Sequence, residues 1–201
     1  MKLKNIILSG LFVSVLISCE GVTDISPKDS LTDASYWSKV EDLKLYANNL
    51  YTNLSAPGVD KDNVSDNCIT TNYSSYLFNE TTIPSTASEA GWTWGNIRNC
   101  NFFLTRYQKV QAAPSEVNPY VAEVRFFRAL DYFGKIKQFG DVPWYDKDLQ
   151  TADTDELYKP RDTRDFVLGK IIEDLEFAIQ WLPDADKAEK GRLNKDAART
   201  Q

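Results

Sequence analysis

The stretch from Tyr120 to Trp144 constrains this chain more than any other segment. It is long, apolar on almost every side, and stops abruptly at Gly-Asp-Val-Pro, positions 140–143. At about 100° per residue, counted from Val121, Ile136, Ala129, Phe133, Phe126 and Leu130 fill an arc from about 60° to about 180°. Val121, Tyr132 and Phe139 fall at about 0–20° and Phe127 at about 240°. A lone surface helix buries one stripe, whereas this one must pack between neighbours, as in a stacked helical array. Arg125 falls at about 40°, inside the apolar arc, where a buried guanidinium needs a carboxylate. Asp174 is the expected partner, with Glu123 or a further C-terminal residue as alternatives, and the pair is read as structural.

Other segments also read as helices. One starts at Ser38 with Glu41 in capping-box spacing, carries Val40, Leu43, Ala47, Leu50 and Leu54 on one face, and ends at Pro57-Gly58. A second runs from about Trp92 to Val110, with Trp94, Ile97, Asn101, Leu104 and Tyr107 on one side. Asn101 lies mid-face, so its amide needs partners and is expected to tie down a neighbouring turn or loop. A third, capped by Asp162 or Thr163 and closed by Pro183, places Val167, Leu168, Ile171, Ile172, Leu175, Ala178, Ile179 and Leu182 on one face. Another begins near Asn194. No strand periodicity is sustained, so the fold class is all-α, with tetratricopeptide-like stacked helix pairs although that repeat's consensus positions do not match strictly. Residues 59–91 lack a period and form a long irregular loop region rich in Asp, Asn, Ser and Thr.

Composition removes several chemistries. There is no histidine among 201 residues, which excludes His-based triads and His-ligated zinc. Three scattered cysteines without a Cys-x-x-Cys pair argue against a thiolate metal site, and no cofactor is implied. Residues 1–18 read as a signal peptide: Lys2 and Lys4 precede an apolar run from Ile6 to Ile17, too short to span a bilayer. Leu16-Ile17-Ser18-Cys19 resembles a bacterial lipobox, which makes Cys19 the lipidated residue and residues 19–37 a tether. Removing residues 1–18 takes Lys2 and Lys4 from the 23 basic side chains and none of the 29 acidic ones, so net charge moves from −6 to −8. With no basic cluster, this argues against nucleic acid and against charge-driven membrane binding. Cys68 and Cys100 remain, either as a disulfide or, for Cys100 at the edge of an apolar helix face, as a buried thiol.

The ordered set of these pieces resembles the SusD/RagB-type outer-membrane nutrient-uptake lipoproteins of Bacteroides-like bacteria. The likeness is carried by the lipobox ending at Cys19, the Leu-Tyr and Leu-Tyr-Thr-Asn-Leu run at 45–54, and Trp94-Gly-Asn-Ile-Arg-Asn-Cys-Asn101. Glu123-Val-Arg-Phe-Phe-Arg-Ala-Leu-Asp-Tyr-Phe133 followed by Phe139-Gly-Asp-Val-Pro143 is its most specific part, and Ile171–Ile179, Leu182-Pro183 and Gly191-Arg192 continue it. Members are typically more than twice as long, so residues 38–201 resemble the N-terminal part of such a helical domain, a partial SusD-like fold. The resemblance implies a non-enzymatic, outer-membrane, lipid-anchored protein that binds oligosaccharides and delivers them to a SusC-like TonB-dependent transporter. A lipid-anchored helical-repeat interaction module without glycan binding is the alternative. Sugar recognition calls for aromatic faces and amide or carboxylate groups. Asn67, Asn72, Tyr73, Tyr76 and Trp92 are the candidates, Trp92 because it stands off the Trp94 face by two residues. Trp94 reads as core, and Trp144 and Tyr145 as exposed aromatics for a partner or for capping the array. Helices lacking the family's C-terminal half are expected to expose apolar faces and to make the isolated chain marginal or aggregation-prone.

Overall fold

In the computed structural model the described residues are 33–54, 78, 80 and 82–201. The one-turn helix α1 (Asp33–Tyr36) belongs to a separate N-terminal unit, and the main unit runs from Trp37 to Gln201. That unit contains α2 (Val40–Leu50), α3 (Gly95–Leu104), α4 (Pro114–Phe139), the one-turn α5 (Thr154–Leu157), α6 (Arg164–Trp181) and α7 (Lys195–Thr200). Among the described residues there is no strand, only an isolated antiparallel bridge between Val142 and Asp162. The all-α, tetratricopeptide-like expectation holds.

α4 is the centre of the stack, with α6, α3 and α2 as its neighbours. This accounts for apolar residues on several sides of one helix: different flanks of α4 bury against different partners. The helix begins at Pro114, earlier than the apolar period announces. Proline suits the first helical position, and the Glu116 side chain accepts from the Ala113 N–H at 3.2 Å. Gly140 ends it with φ of 71°, a conformation that side chains with a Cβ rarely adopt.

Contacts between α4 and α6 step inward from their shared link in antiparallel register. Asp141 Oδ1 accepts from the Arg164 N–H at 2.8 Å, Arg128 pairs with Asp174, and the Arg125 guanidinium lies 4.3 Å from the Phe177 ring centroid. Between them lies a core of Ile97, Ala129, Tyr132, Ile136, Val142, Trp144, Val167 and Ile171. A second aromatic group, Trp37, Tyr46, Phe102 and Phe103, joins α2 to α3.

Several local expectations are corrected. The carboxylate capping α2 is Asp42, not Glu41: its Oδ2 accepts from the Ser38 and Lys39 N–H groups and the Ser38 hydroxyl at 3.0–3.1 Å. α3 is shorter than expected, ending at Leu104, with a separate 3₁₀ turn at Tyr107–Lys109. Trp144 is not an exposed aromatic; it is buried with its ring centroid 4.3 Å from that of Tyr132. The buried guanidinium of α4 is that of Arg128 rather than Arg125, whose side chain stays 32% exposed and 3.5 Å from Asp174. Glu123 pairs instead with Arg192, which also donates to Asn48 and so ties the turn before α7 to α2 and α4. α6 does have Thr163 as its cap, and Val167, Ile171, Ala178 and Leu182 are buried. Leu168 and Ile172, read as part of the same face, are exposed at 38% and 48%. Cys100 is a buried free thiol, pushed up to about 12 by that burial and therefore protonated at neutral pH.

Candidate functional site

A groove of about 720 Å³ runs between the start of α3 and the extended link from α4 to α6. That volume lies within the range of about 300–1,000 Å³ typical of small-molecule sites. The α3 side contributes Trp92, Trp94, Arg98 and Asn101; the link contributes Tyr145, Lys147, Gln150, Tyr158, Lys159 and Arg161. Aromatic rings and hydrogen-bonding groups therefore line the same cleft.

Apart from the one-turn α5 the link is not helical, so its polar groups need partners outside regular structure. The buried Asn101 supplies two of them: its amide nitrogen donates to the carbonyls of Tyr145 at 2.8 Å and Lys147 at 3.3 Å. Its oxygen accepts from Arg128 at 3.0 Å, and Arg128 grips Asp174 through two bonds of 2.7 and 2.8 Å. The Tyr132 hydroxyl accepts from the Tyr145 N–H at 2.6 Å and donates to the Tyr145 carbonyl at 3.3 Å. Lys159 donates to the Trp144 carbonyl at 2.5 Å, and Asp162 accepts from the Trp144 N–H at 2.7 Å. One wall of the groove is thus fastened to α3, α4 and α6 by buried side chains, which fixes its shape before any ligand arrives.

The aromatic residues are held edge to face. Trp92 packs at 5.2 Å against Trp94 and 4.8 Å against Phe139, and Trp94 packs at 5.2 Å against Tyr145. Lys135, reaching across from α4, lies 4.9 Å from the Trp94 ring centroid. Trp92 is delivered by the turn at 85–91, where Glu89 accepts from Ser85 and Thr86 and the Trp92 N–H donates to Ala87 at 2.7 Å. Burial, together with the Asp162 and Glu156 carboxylates, raises the Tyr145 hydroxyl above the ordinary tyrosine value. It stays a neutral donor, spent on the Leu157 carbonyl at 3.0 Å. Tyr158 is 85% exposed at the rim.

No carboxylate lines the groove among its described residues. Glycoside hydrolysis would need two of them, about 5–9.5 Å apart across the cleft. Among the described residues no group of three or more Cys, Asp or Glu is placed to hold a metal ion. Among the described residues the groove offers aromatic surface, amides and cations.

Of the sequence candidates, Trp92 lies in this groove, while Asn67, Asn72, Tyr73, Tyr76 and the lipidation candidate Cys19 lie outside the described residues. Trp94, read from sequence as core, is half-buried and lines the groove. Sequence reasoning missed Arg98, Tyr158 and Arg161, whose proximity is set by the path of the link. The signal available was the aromatic and basic residues at the two ends of 144–161, Trp144, Tyr145, Tyr158, Lys159 and Arg161, in a stretch without sustained helical period.

Residues 23–201 match a SusD-like family described as "Starch-binding associating with outer membrane". Two SusD-like proteins of Formosa agariphila are similar to the chain: P38, 27% identical over 88% of this chain and 37% of its own, and P25, 26% identical over 98% and 42%. The solved structure of a SusD-like protein from Bacteroides fragilis superposes with a TM-score of 0.68 at 29% identity, over 86% of this chain and 36% of that one. The chain thus spans about two fifths of the length of the curated relatives it matches. Among the described residues no helix is long and apolar enough to cross a membrane.

Proposed function

The chain belongs to the SusD-like family of outer-membrane-associated, starch-binding proteins, and on that premise we propose that it captures oligosaccharides in the groove beside Trp92 and Trp94. Bound glycan would pass to a SusC-like TonB-dependent transporter, without cleavage. In this reading residues 1–18 are removed and Cys19 carries the acyl chains that hold the protein at the outer membrane.

The reading is carried by the combination of Trp92, Trp94, Tyr145 and Tyr158 with amide and cationic side chains along a groove whose described lining holds no carboxylate. Sugar rings present apolar faces to aromatic side chains and ring hydroxyls to polar groups, and this cleft supplies both. Its wall is preformed through Asn101 and Tyr132, so little ordering opposes binding.

Titrating the purified chain with neutral and acidic oligosaccharides while following tryptophan fluorescence tests the reading. The expected result is saturable quenching, no released product, and loss of the response when Trp92→Ala and Tyr158→Ala are combined. Product release would make the protein an enzyme, and quenching unchanged in the double variant would place the ligand elsewhere. For the anchor, palmitate labelling of the chain expressed in a Bacteroides-type host is expected to vanish in Cys19→Ser; persistent labelling would refute the assignment.

A further inference from the structure

Among the described residues, the charges lining the groove all have one sign. Arg98, Lys147, Lys159 and Arg161 line it and no described acid does, in a chain whose net charge is −6 and whose pI is about 4.8. An acidic protein thus gathers four cations around its aromatic cleft, the sign opposite to its net charge.

The carboxylates near these cations are outside the groove's described lining, and their pairings with three of the four are long or solvated. Asp148 lies 3.8 Å from Arg98 but 2.8 Å from Arg106, which does not line the groove. Lys147 is 3.7 Å from Glu156, and both are well solvated, so that pair is loose. Lys159 lies 3.3 Å from Asp162 and is committed to the wall through the Trp144 carbonyl. Arg161 is different. Its contacts are the Asp141 carbonyl at 3.4 Å and the Trp92 ring, 4.8 Å from its guanidinium carbon; among the described residues no carboxylate reaches it. A guanidinium held over an indole keeps its edge free to accept a planar or tetrahedral anion through paired N–H donors.

Resting on the oligosaccharide-capture reading above, we infer that the groove selects acidic oligosaccharides, whose carboxylate or sulfate groups are gripped by Arg161 and Arg98 while their rings lie against the aromatic side chains. An acidic extended peptide fits less well, because peptide capture by strand addition needs an open sheet edge and the described residues contain no strand.

Isothermal titration of the whole chain tests this with four probes at 20 and 300 mM NaCl: maltotetraose, tetragalacturonate, a sulfated neocarratetraose and tetraglutamate. At low salt one or both acidic saccharides are expected to bind about tenfold or more tighter than maltotetraose, and to lose about tenfold at high salt as screening shortens the reach of the charges. The arm that binds tells carboxylate from sulfate. Arg98→Gln with Arg161→Gln is expected to abolish the preference and the salt dependence; both side chains are exposed, so an unchanged thermal melt checks the fold. Equal, salt-independent affinities for neutral and acidic saccharides would overturn the selectivity and leave the capture reading standing. Tetraglutamate binding as tightly as the acidic saccharides would overturn it in favour of a general anion site. Binding of no saccharide at all would overturn both readings.

Discussion

Replacing Arg128 by methionine removes the centre of the network that joins α4, α6, α3 and the groove wall. The guanidinium is 6% exposed and makes bonds of 2.7 and 2.8 Å to Asp174 and 3.0 Å to Asn101. Methionine fills most of the volume but leaves the Asp174 carboxylate, itself 2% exposed, with Arg125 at 3.5 Å as its remaining cation. Breaking a buried pair from one side costs about 3–5 kcal/mol, a large share of the roughly 5–15 kcal/mol that holds a domain folded. Arg125→Met serves as the control: that side chain is partly solvated, its ion pair is long, and the loss should be about 1 kcal/mol even with its contact to Phe177. Combining Arg128→Met with Asp174→Leu removes both charges and should recover at least half of the single-variant loss. Urea unfolding followed by tryptophan fluorescence gives these differences as midpoint shifts at constant slope. If Arg125→Met costs as much as Arg128→Met, or if the double variant loses the sum of its singles, the reasoning about this network is wrong.

Three further outcomes are expected. Asn101→Ala frees the Tyr145 and Lys147 carbonyls, so it should cost about 1–3 kcal/mol in the same unfolding assay and weaken saccharide binding as well; a stability loss with unchanged affinity would separate the wall from the site. Hydrogen bonds from Ser85 and Thr86 hold the Glu89 carboxyl below its ordinary value, so the order it lends the turn before Trp92 is fully present above about pH 4.5 and is lost as pH falls through the lower folded value. Trp92 emission should therefore shift on acidification in the parent chain and stay flat in Glu89→Gln; the same shift in both would exclude Glu89 as the cause. Leu168→Glu with Ile172→Glu, on the exposed stripe of α6, should lower concentration-dependent association in analytical ultracentrifugation while moving the unfolding free energy by about 0.5 kcal/mol or less; a larger loss would mean that the stripe is packed.

The fold was legible where periodicity and punctuation agree. α6 carries its cap at Thr163 and its closing proline at 183, and the apolar run of α4 announced a helix packed from several sides. The phase within α4 was harder to read. A helical wheel averages over neighbours, so Arg125 was placed among apolar residues and Arg128, which faces the seam between α3 and α6, went unnoticed. The site was only half legible. Trp92 stood out because it stands off the Trp94 face by two residues, although the structure places it in the turn before α3, and Asn101 because an amide sat mid-face. Tyr158 and Arg161 joined them through a link that has no period, held in place by contacts as distant in sequence as Asn101 to Lys147. Trp144 and Tyr145, adjacent in sequence and similar in character, went to opposite sides of the wall: Trp144 into the core and Tyr145 into the groove.

Glycan capture in the cleft between the start of α3 and the link from α4 to α6 is what remains to be seen directly. A crystal structure of the chain soaked with the tightest-binding tetrasaccharide addresses it most directly. Sugar density is expected against Trp92, Trp94 and Tyr158, with an acidic substituent at Arg161. Ordered sugar elsewhere, with that cleft filled by solvent, would contradict it.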